Sequence, residues 1–261
     1  MMSNDFIKFN IQGGVGKIIL NRPDKYNSFN REMALQLQNS LDSCSSNPAV
    51  RAIYITGEGK AFCSGQDLSE AIDDKGPGIK KIVEEHYNPI IKKIRSIEKP
   101  VVCAVNGVAA GAGANIALSC DVVLAASSAA FIQIFSKIGL IPDSGGTFFL
   151  PRLIGFGKAS ALMMLADKIM ADDAEKMGMI YKAVEDSKLE AEALAVAQTL
   201  ATMPTKGLGY TKRLLNQSAT NTLEQQLNAE CAEQIKAAAT YDYQEGVKAF
   251  LEKRKPVFKG E

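Results

Sequence analysis

The sequence has a single histidine, His86, among 261 residues. With no evident partner for that imidazole, a histidine-built metal site and a serine triad are both excluded. Cysteines are few and scattered, at Cys44, Cys63, Cys103, Cys120 and Cys231, with no CxxC pair. Isolated thiols in odd number argue against a disulfide framework or a zinc knuckle and fit a reducing compartment. Neither sign of charge dominates: 30 Lys and Arg face 29 Asp and Glu, a net charge of +1. That balance gives no electrostatic case for a nucleic-acid partner. No apolar run approaches the roughly 20 residues needed to span a bilayer. The opening MMSNDFIKFN lacks the apolar core of a signal peptide. The expectation is a soluble, cytoplasmic protein with no membrane, nucleic-acid or metal partner.

What is present is ordinary globular composition, 46% hydrophobic and 23% charged. VGKIIL (15–20), RAIYIT (51–56), PVVCAV (100–105) and DVVLAA (121–126) read as buried strands. Between the first two, Met33, Leu37 and Leu41 share a helical face, with Leu35 alongside and Asn30 available as N-cap. The segment 78–97 carries Ile79, Ile82, Val83, Ile90, Ile91 and Ile94 at helical spacing, and Pro89 should kink or divide it. After about Pro204 strand signals vanish. Thr222-x-x-Gln225 and Asp242-x-x-Glu245 each resemble the start of a helix, with Leu223, Leu227 and Ile235 on one side of the first. This predicts an α/β body over 1–200 and a helical region over 201–261, with no repeat visible by eye.

Two glycine-rich turns carry chemical potential. In VVCAVNGVAAGAGANIALSCDVVLA the dinucleotide fingerprint fails, because Ile116 stands where a third glycine belongs after Gly111-x-Gly113. Small residues at a helix start still let backbone N–H groups approach a ligand oxygen. The second turn, GEGKAFCSGQDLSE (57–70), is either a surface loop ending in an Asp67 cap or a second source of such a donor. Two donors converging on one carbonyl oxygen make an oxyanion hole. His86 reads as a solvated helix-face residue, and Cys63 as a thiol without a base. Asp143, in GLIPDSGG, is either a turn or cap residue or a base aimed at substrate.

LNRPDKYNSF, GKAFCSGQDL, AVNGVAAGAGANIALSCD and GLIPDSGGTFFLPR, with EGVKAFLEKRKPVF at the end, together resemble the crotonase (enoyl-CoA hydratase/isomerase) superfamily. The resemblance implies an α/β spiral of ββα units with a C-terminal helical oligomerisation region, and a homotrimer or dimer of trimers. It implies an acyl-CoA thioester substrate and no separate cofactor, coenzyme A being part of the substrate. By the same resemblance the backbone N–H groups of Gln66 and Ala112 form the oxyanion hole. Gly111, Ser64, Asp67 and Leu68 then line the CoA and substrate path, Lys25 approaches the nucleotide phosphates, and Phe250 and Lys253 contact CoA, often across a subunit interface.

The departures narrow the chemistry. Hydratases of the family use two glutamates, and those positions are Asn115 and Phe135 here, which become pocket residues without acid or base. SKIGLIPDSGGTFFLPR and NGVAAGAGA are similar to a branch working in bacterial phenylacetate breakdown, in which Asp143 is the acid. An isomerase follows, with Phe131, Phe135 and Phe148 expected around an aromatic-sized acyl group. The rivals are a general Δ3,Δ2-enoyl-CoA isomerase of fatty-acid oxidation and a non-catalytic acyl-CoA- or RNA-binding member.

Overall fold

In the computed structural model, which describes residues 5–261, the chain opens with β1 (Ile7–Gln12), β2 (Val15–Leu20) and helix α1 (Arg31–Ser46). Next come β3 (Ala52–Gly57), β4 (Ala61–Cys63), the short helices α2 (Leu68–Ala71) and α3 (Gly78–Lys81), a π-helical turn over Ile82–Tyr87, and α4 (Asn88–Ser96). A second round supplies β5 (Val101–Val105), β6 (Val108–Ala110) and α5 (Ala112–Leu118). A third supplies β7 (Val122–Ala126), β8 (Ala130–Ile132), α6 (Gly146–Ile154) and α7 (Phe156–Leu165). After β9 (Lys168–Met170), α8 (Ala171–Lys176) and β10 (Lys182–Val184), the chain is helical: α9 (Leu189–Ala201), α10 (Thr205–Ser218), α11 (Leu223–Ala238) and α12 (Tyr241–Leu251).

The strands sort into two sheets, of order β1-β2-β3-β5-β7-β10 and β4-β6-β8-β9. In each round the first strand joins the large sheet and the second joins the small one, so the chain spirals as successive ββα units. The repeat escapes notice in the sequence because β4, β6 and β8 are three residues each, too short to show a period. Pairing from β2 to β10 in the large sheet is parallel throughout. A parallel sheet is covered on both faces, which is why its strands read as continuous apolar runs. Val101 to Val105 are all buried, and α9 packs across β3, β5 and β7.

Local signals explain some helix starts. Asn30 caps α1 through the Met33 N–H at 3.0 Å, and Met33, Leu37 and Leu41 are buried while Leu35 is exposed. Thr222 and Gln225 form the expected capping box of α11. The Asp242 start is a correction: Thr240 caps α12, accepting the Tyr243 N–H at 3.1 Å. Asp242 instead accepts the N–H groups of Lys259 and Gly260, at 2.6 and 2.8 Å, which folds the C-terminal strap back on the helix. Pro89 does not divide its helix. It lacks an amide hydrogen, and the ladder widens into the π turn just before it. Among the described residues no helix is long and apolar enough to cross a membrane.

Candidate active site

Glycine lets the β4–α2 loop meet the start of α5. A Cβ built on Gly65, whose φ is +95°, would lie 3.0 Å from the Ala110 carbonyl oxygen and 3.6 Å from the Ala112 nitrogen. One built on Gly113 would lie 2.4 Å from the Cys63 carbonyl oxygen. Any larger residue would force the two segments apart. Phe29 and Gln66 form an isolated parallel bridge, Phe29 N–H donating to Gly65 O at 2.7 Å and Asp67 N–H to Phe29 O at 2.8 Å. Such a bridge uses the peptide groups flanking Gln66 and leaves its own N–H pointing away from Phe29. Ala112 opens α5, where a first-turn amide has no intrahelical partner. Among the described residues neither amide has a protein acceptor.

Both residues line a cavity of about 380 Å³ together with Ser64, Leu68, Gly111 and Asp143. Phe135 and Tyr87 close part of the wall, and most of the remaining surface is aliphatic. A larger cavity of about 660 Å³ also holds an acid, Asp121. That carboxylate is already paired with Arg95 at 3.0 Å and Lys212 at 2.7 Å, so it is not a free base.

Asp143 does not serve as a cap. Helix α6 starts after Gly145 with no side-chain cap, and the Asp143 carboxylate accepts the Ser144 hydroxyl at 2.8 Å. Burial raises its pKa above the ordinary carboxylate range, and the Ser144 hydrogen bond opposes that rise only in part. The main-chain oxygen of Asp143 accepts the Asn115 side-chain amide at 2.8 Å and the Gly146 N–H at 2.9 Å, which fixes the loop. A half-buried carboxylate, two unused amides and an apolar wall can take a proton from carbon and hold the oxyanion that results.

A model of the enoyl-CoA hydratase/isomerase family matches residues 10–261. The chain belongs to this family. It is 46% identical to the 1,2-epoxyphenylacetyl-CoA isomerase of Escherichia coli, over 98% of this chain and 99% of that one. It is 34% identical to the trans-2-decenoyl-[acyl-carrier-protein] isomerase of Streptococcus mutans, covering 97% and 98%. Among solved structures, an enoyl-CoA hydratase of Polaromonas superposes with a TM-score of 0.90 at 34% identity, covering 97% and 99%. The protein is therefore an enzyme of the crotonase family, in which isomerases and hydratases share one fold.

Several residues expected at the crotonase site lie elsewhere in the chain. Asn115 is outside the cavity wall; it is buried behind Asp143, and its Oδ1 accepts the Gln133 amide at 2.8 Å. Asp67 is held by Arg22 at 3.0 Å and caps α2 through the Ser69 N–H at 3.2 Å, which commits it to the loop. Lys25 sits in the exposed turn Pro23–Lys25, its carbonyl against the Ser64 hydroxyl, and does not reach the cavity wall. Phe250 lines a separate cavity near the C-terminus and is 82% exposed, while Lys253 follows in an exposed turn. Phe131 is buried in the core, and Phe148 stacks under Arg152, 3.7 Å from ring centroid to guanidinium, so of the three phenylalanines only Phe135 forms the wall.

His86 is also corrected. It is fully buried, its Nε2 lies 3.2 Å from the Arg31 guanidinium, and its Nδ1 has no partner among the described residues. Burial lowers its pKa, which keeps the ring neutral. Cys63 is buried and its thiol is pushed up to about 12 by that burial, so it is no nucleophile. Tyr87 went unnoticed in the sequence, since the π turn shifts the face on which it falls.

Proposed function

We propose that this enzyme isomerises 2-(1,2-epoxy-1,2-dihydrophenyl)acetyl-CoA to oxepin-CoA in aerobic phenylacetate catabolism, and also moves Δ3 double bonds to Δ2 in enoyl-CoA thioesters. The reading rests above all on Asp143, a half-buried carboxylate that caps nothing and shares a cavity with the free amides of Gln66 and Ala112. Similarity to the E. coli isomerase supports the aromatic substrate. Epoxide and oxepin are valence tautomers, so the net chemistry is a 1,3 proton shift. Asp143 takes a proton from Cα, the thioester oxygen becomes an enolate held by two N–H donors, and the same carboxyl returns a proton to the ring. Nothing is gained or lost, and coenzyme A stays attached throughout.

An aliphatic wall with Phe135 excludes water from the enolate, which favours proton return over hydration. Cytoplasmic homotrimers, or dimers of them, form through α10 to α12. Exposed Leu223, Leu227, Ile235, Phe250 and Leu251 on those helices support that assembly. In it Lys25, Phe250 and Lys253 meet the CoA moiety, although none of the three lines the cavity in the single chain.

Substrate choice tests this reading against general fatty-acyl isomerisation, which the S. mutans relative also recommends. The expected result is a kcat/KM for the ring epoxide at least about tenfold above those for 3-hexenoyl- and 3-decenoyl-CoA, a difference of about 1.4 kcal/mol in transition-state binding. Highest kcat/KM with 3-decenoyl-CoA, and none with the epoxide, would assign the enzyme to fatty-acid oxidation instead.

A further inference from the structure

Gln66 offers its amide to the cavity while its side chain is occupied elsewhere. Its Oε1 accepts the Tyr87 hydroxyl at 2.8 Å, and its Nε2 donates to Glu70 Oε2 at 3.0 Å. The two ends of this amide are not interchangeable. A carboxylate only accepts, so Nε2 must face Glu70 and Oε1 must face the phenol. Glu70 in turn accepts the Arg31 main-chain N–H through both oxygens, at 3.0 and 3.1 Å, at the first residue of α1. Tyr87 is 1% exposed, and its ring meets Phe29 edge-on with centroids 5.9 Å apart. Phe29 is the residue bridged to Gln66. The Gln66 peptide is thus fixed by the bridge and by both ends of its own side chain, anchored on α1 and on the π turn.

Tyr87 lines the cavity, so a role as proton donor to substrate deserves weighing. Its hydrogen is already given to Gln66, and burial raises its pKa further beyond the phenol range, with the charges of Asp143 and Glu70 adding to the effect. A phenol so placed holds its proton. Its hydrogen bond acts on the peptide beside the substrate.

We propose that the Tyr87–Gln66–Glu70 chain of hydrogen bonds aims the Gln66 amide at the thioester oxygen, which makes Tyr87 a positioning residue for the oxyanion hole. The proposal rests on the reading of Gln66 as an oxyanion donor. Oxyanion donors act by preorganisation, and a displacement of about 1 Å costs up to about 10²-fold in rate. The phenol belongs to the wall of a pocket that must admit a substrate. A clamp of this kind keeps the donor aligned without placing a competing hydroxyl in the path of the enolate.

The test uses Tyr87→Phe, which keeps the ring and its packing on Phe29, and Gln66→Leu, which keeps the backbone N–H but removes both side-chain bonds. Each is expected to lower kcat by about 10- to 100-fold with KM changed less than about threefold. The double variant is expected to be no slower than the slower single one, since both break one chain. A direct readout is the infrared stretch of carbonyl-labelled butyryl-CoA bound to the intact enzyme. It is expected to move to lower frequency in the wild type and less so in Tyr87→Phe. An unchanged carbonyl shift with unchanged kcat in Tyr87→Phe, or fully additive losses in the double variant, would overturn the clamp. No carbonyl shift in the wild type would instead overturn the oxyanion reading beneath it.

Discussion

Asp143→Asn is expected to lower isomerase kcat by about 10³-fold or more, near the middle of the usual contribution of a positioned acid–base group. Asn is close to Asp in size, and its side-chain oxygen still accepts the Ser144 hydroxyl, so the loop held by Asn115 and Gly146 stays in place. Only the ability to carry a proton is lost. Binding of a saturated acyl-CoA, followed by calorimetry, is expected within a few-fold of wild type.

Stability adds an independent signature. The folded pKa of Asp143 is raised by burial. The folded state therefore holds its proton more tightly than the unfolded chain does, and ionisation of the group opposes folding. Below the ordinary carboxylate range it is neutral in both states and exacts nothing. As pH rises through the raised pKa, ionisation inside the cavity costs stability. Asp143→Asn never ionises, so at neutral pH the variant is expected to equal or exceed wild-type stability, and the difference should vanish in acid. Near wild-type turnover in Asp143→Asn would remove the base from the mechanism.

The second large effect is a partition between reactions. Hydration needs one group to activate water and another to protonate Cα. The positions at which the family resemblance places the two hydratase glutamates hold Asn115 and Phe135, and Asn115 is committed at both ends to Asp143 and Gln133. Among the described residues Asp143 is the single carboxylic acid in the cavity wall. With crotonyl-CoA, hydratase turnover is expected at least about 10³-fold below isomerase turnover on a Δ3 substrate. Loss of enoyl-thioester absorbance, with chromatography for 3-hydroxyacyl-CoA, measures it. Rapid 3-hydroxyacyl-CoA formation would mean that another group supplies the missing acid.

How much of this was legible in the sequence depended on length and on context. The strands β3, β5 and β7 are five or six residues of continuous apolar chain, and their pattern is unambiguous. Their three-residue partners β4, β6 and β8 carry no period, so the spiral itself was reached only through resemblance. Helix caps that act within four residues, at Asn30 and Thr222, read correctly. The Asp242 start did not, because its carboxylate answers to amides 17 and 18 residues further along.

The site shows the same division. Gly65 and Gly113 were visible as glycine-rich turns, but the close approach that requires them belongs to the folded chain. His86 sits among charged neighbours and reads as solvated, yet it is buried within the π turn, with Arg31 of α1 against its ring. Asn115 falls one helical turn from Ala112 in sequence and faces the Asp143 main chain in space. Lys253 and Phe250 illustrate the limit of position-by-position transfer, since what they touch depends on how chains assemble.

A single carboxyl that removes a proton and returns it leaves a trace that no two-base or hydrolytic mechanism leaves. The decisive measurement is the fate of deuterium placed on Cα of 3-hexenoyl-CoA during turnover in ordinary water, read by mass spectrometry and NMR of the 2-hexenoyl product. A shuttle by Asp143 predicts that a measurable share of the label reappears at the γ carbon, with the transfer lost along with activity in Asp143→Asn. Product whose γ hydrogens come wholly from water at every stage of the reaction would contradict the single-base account.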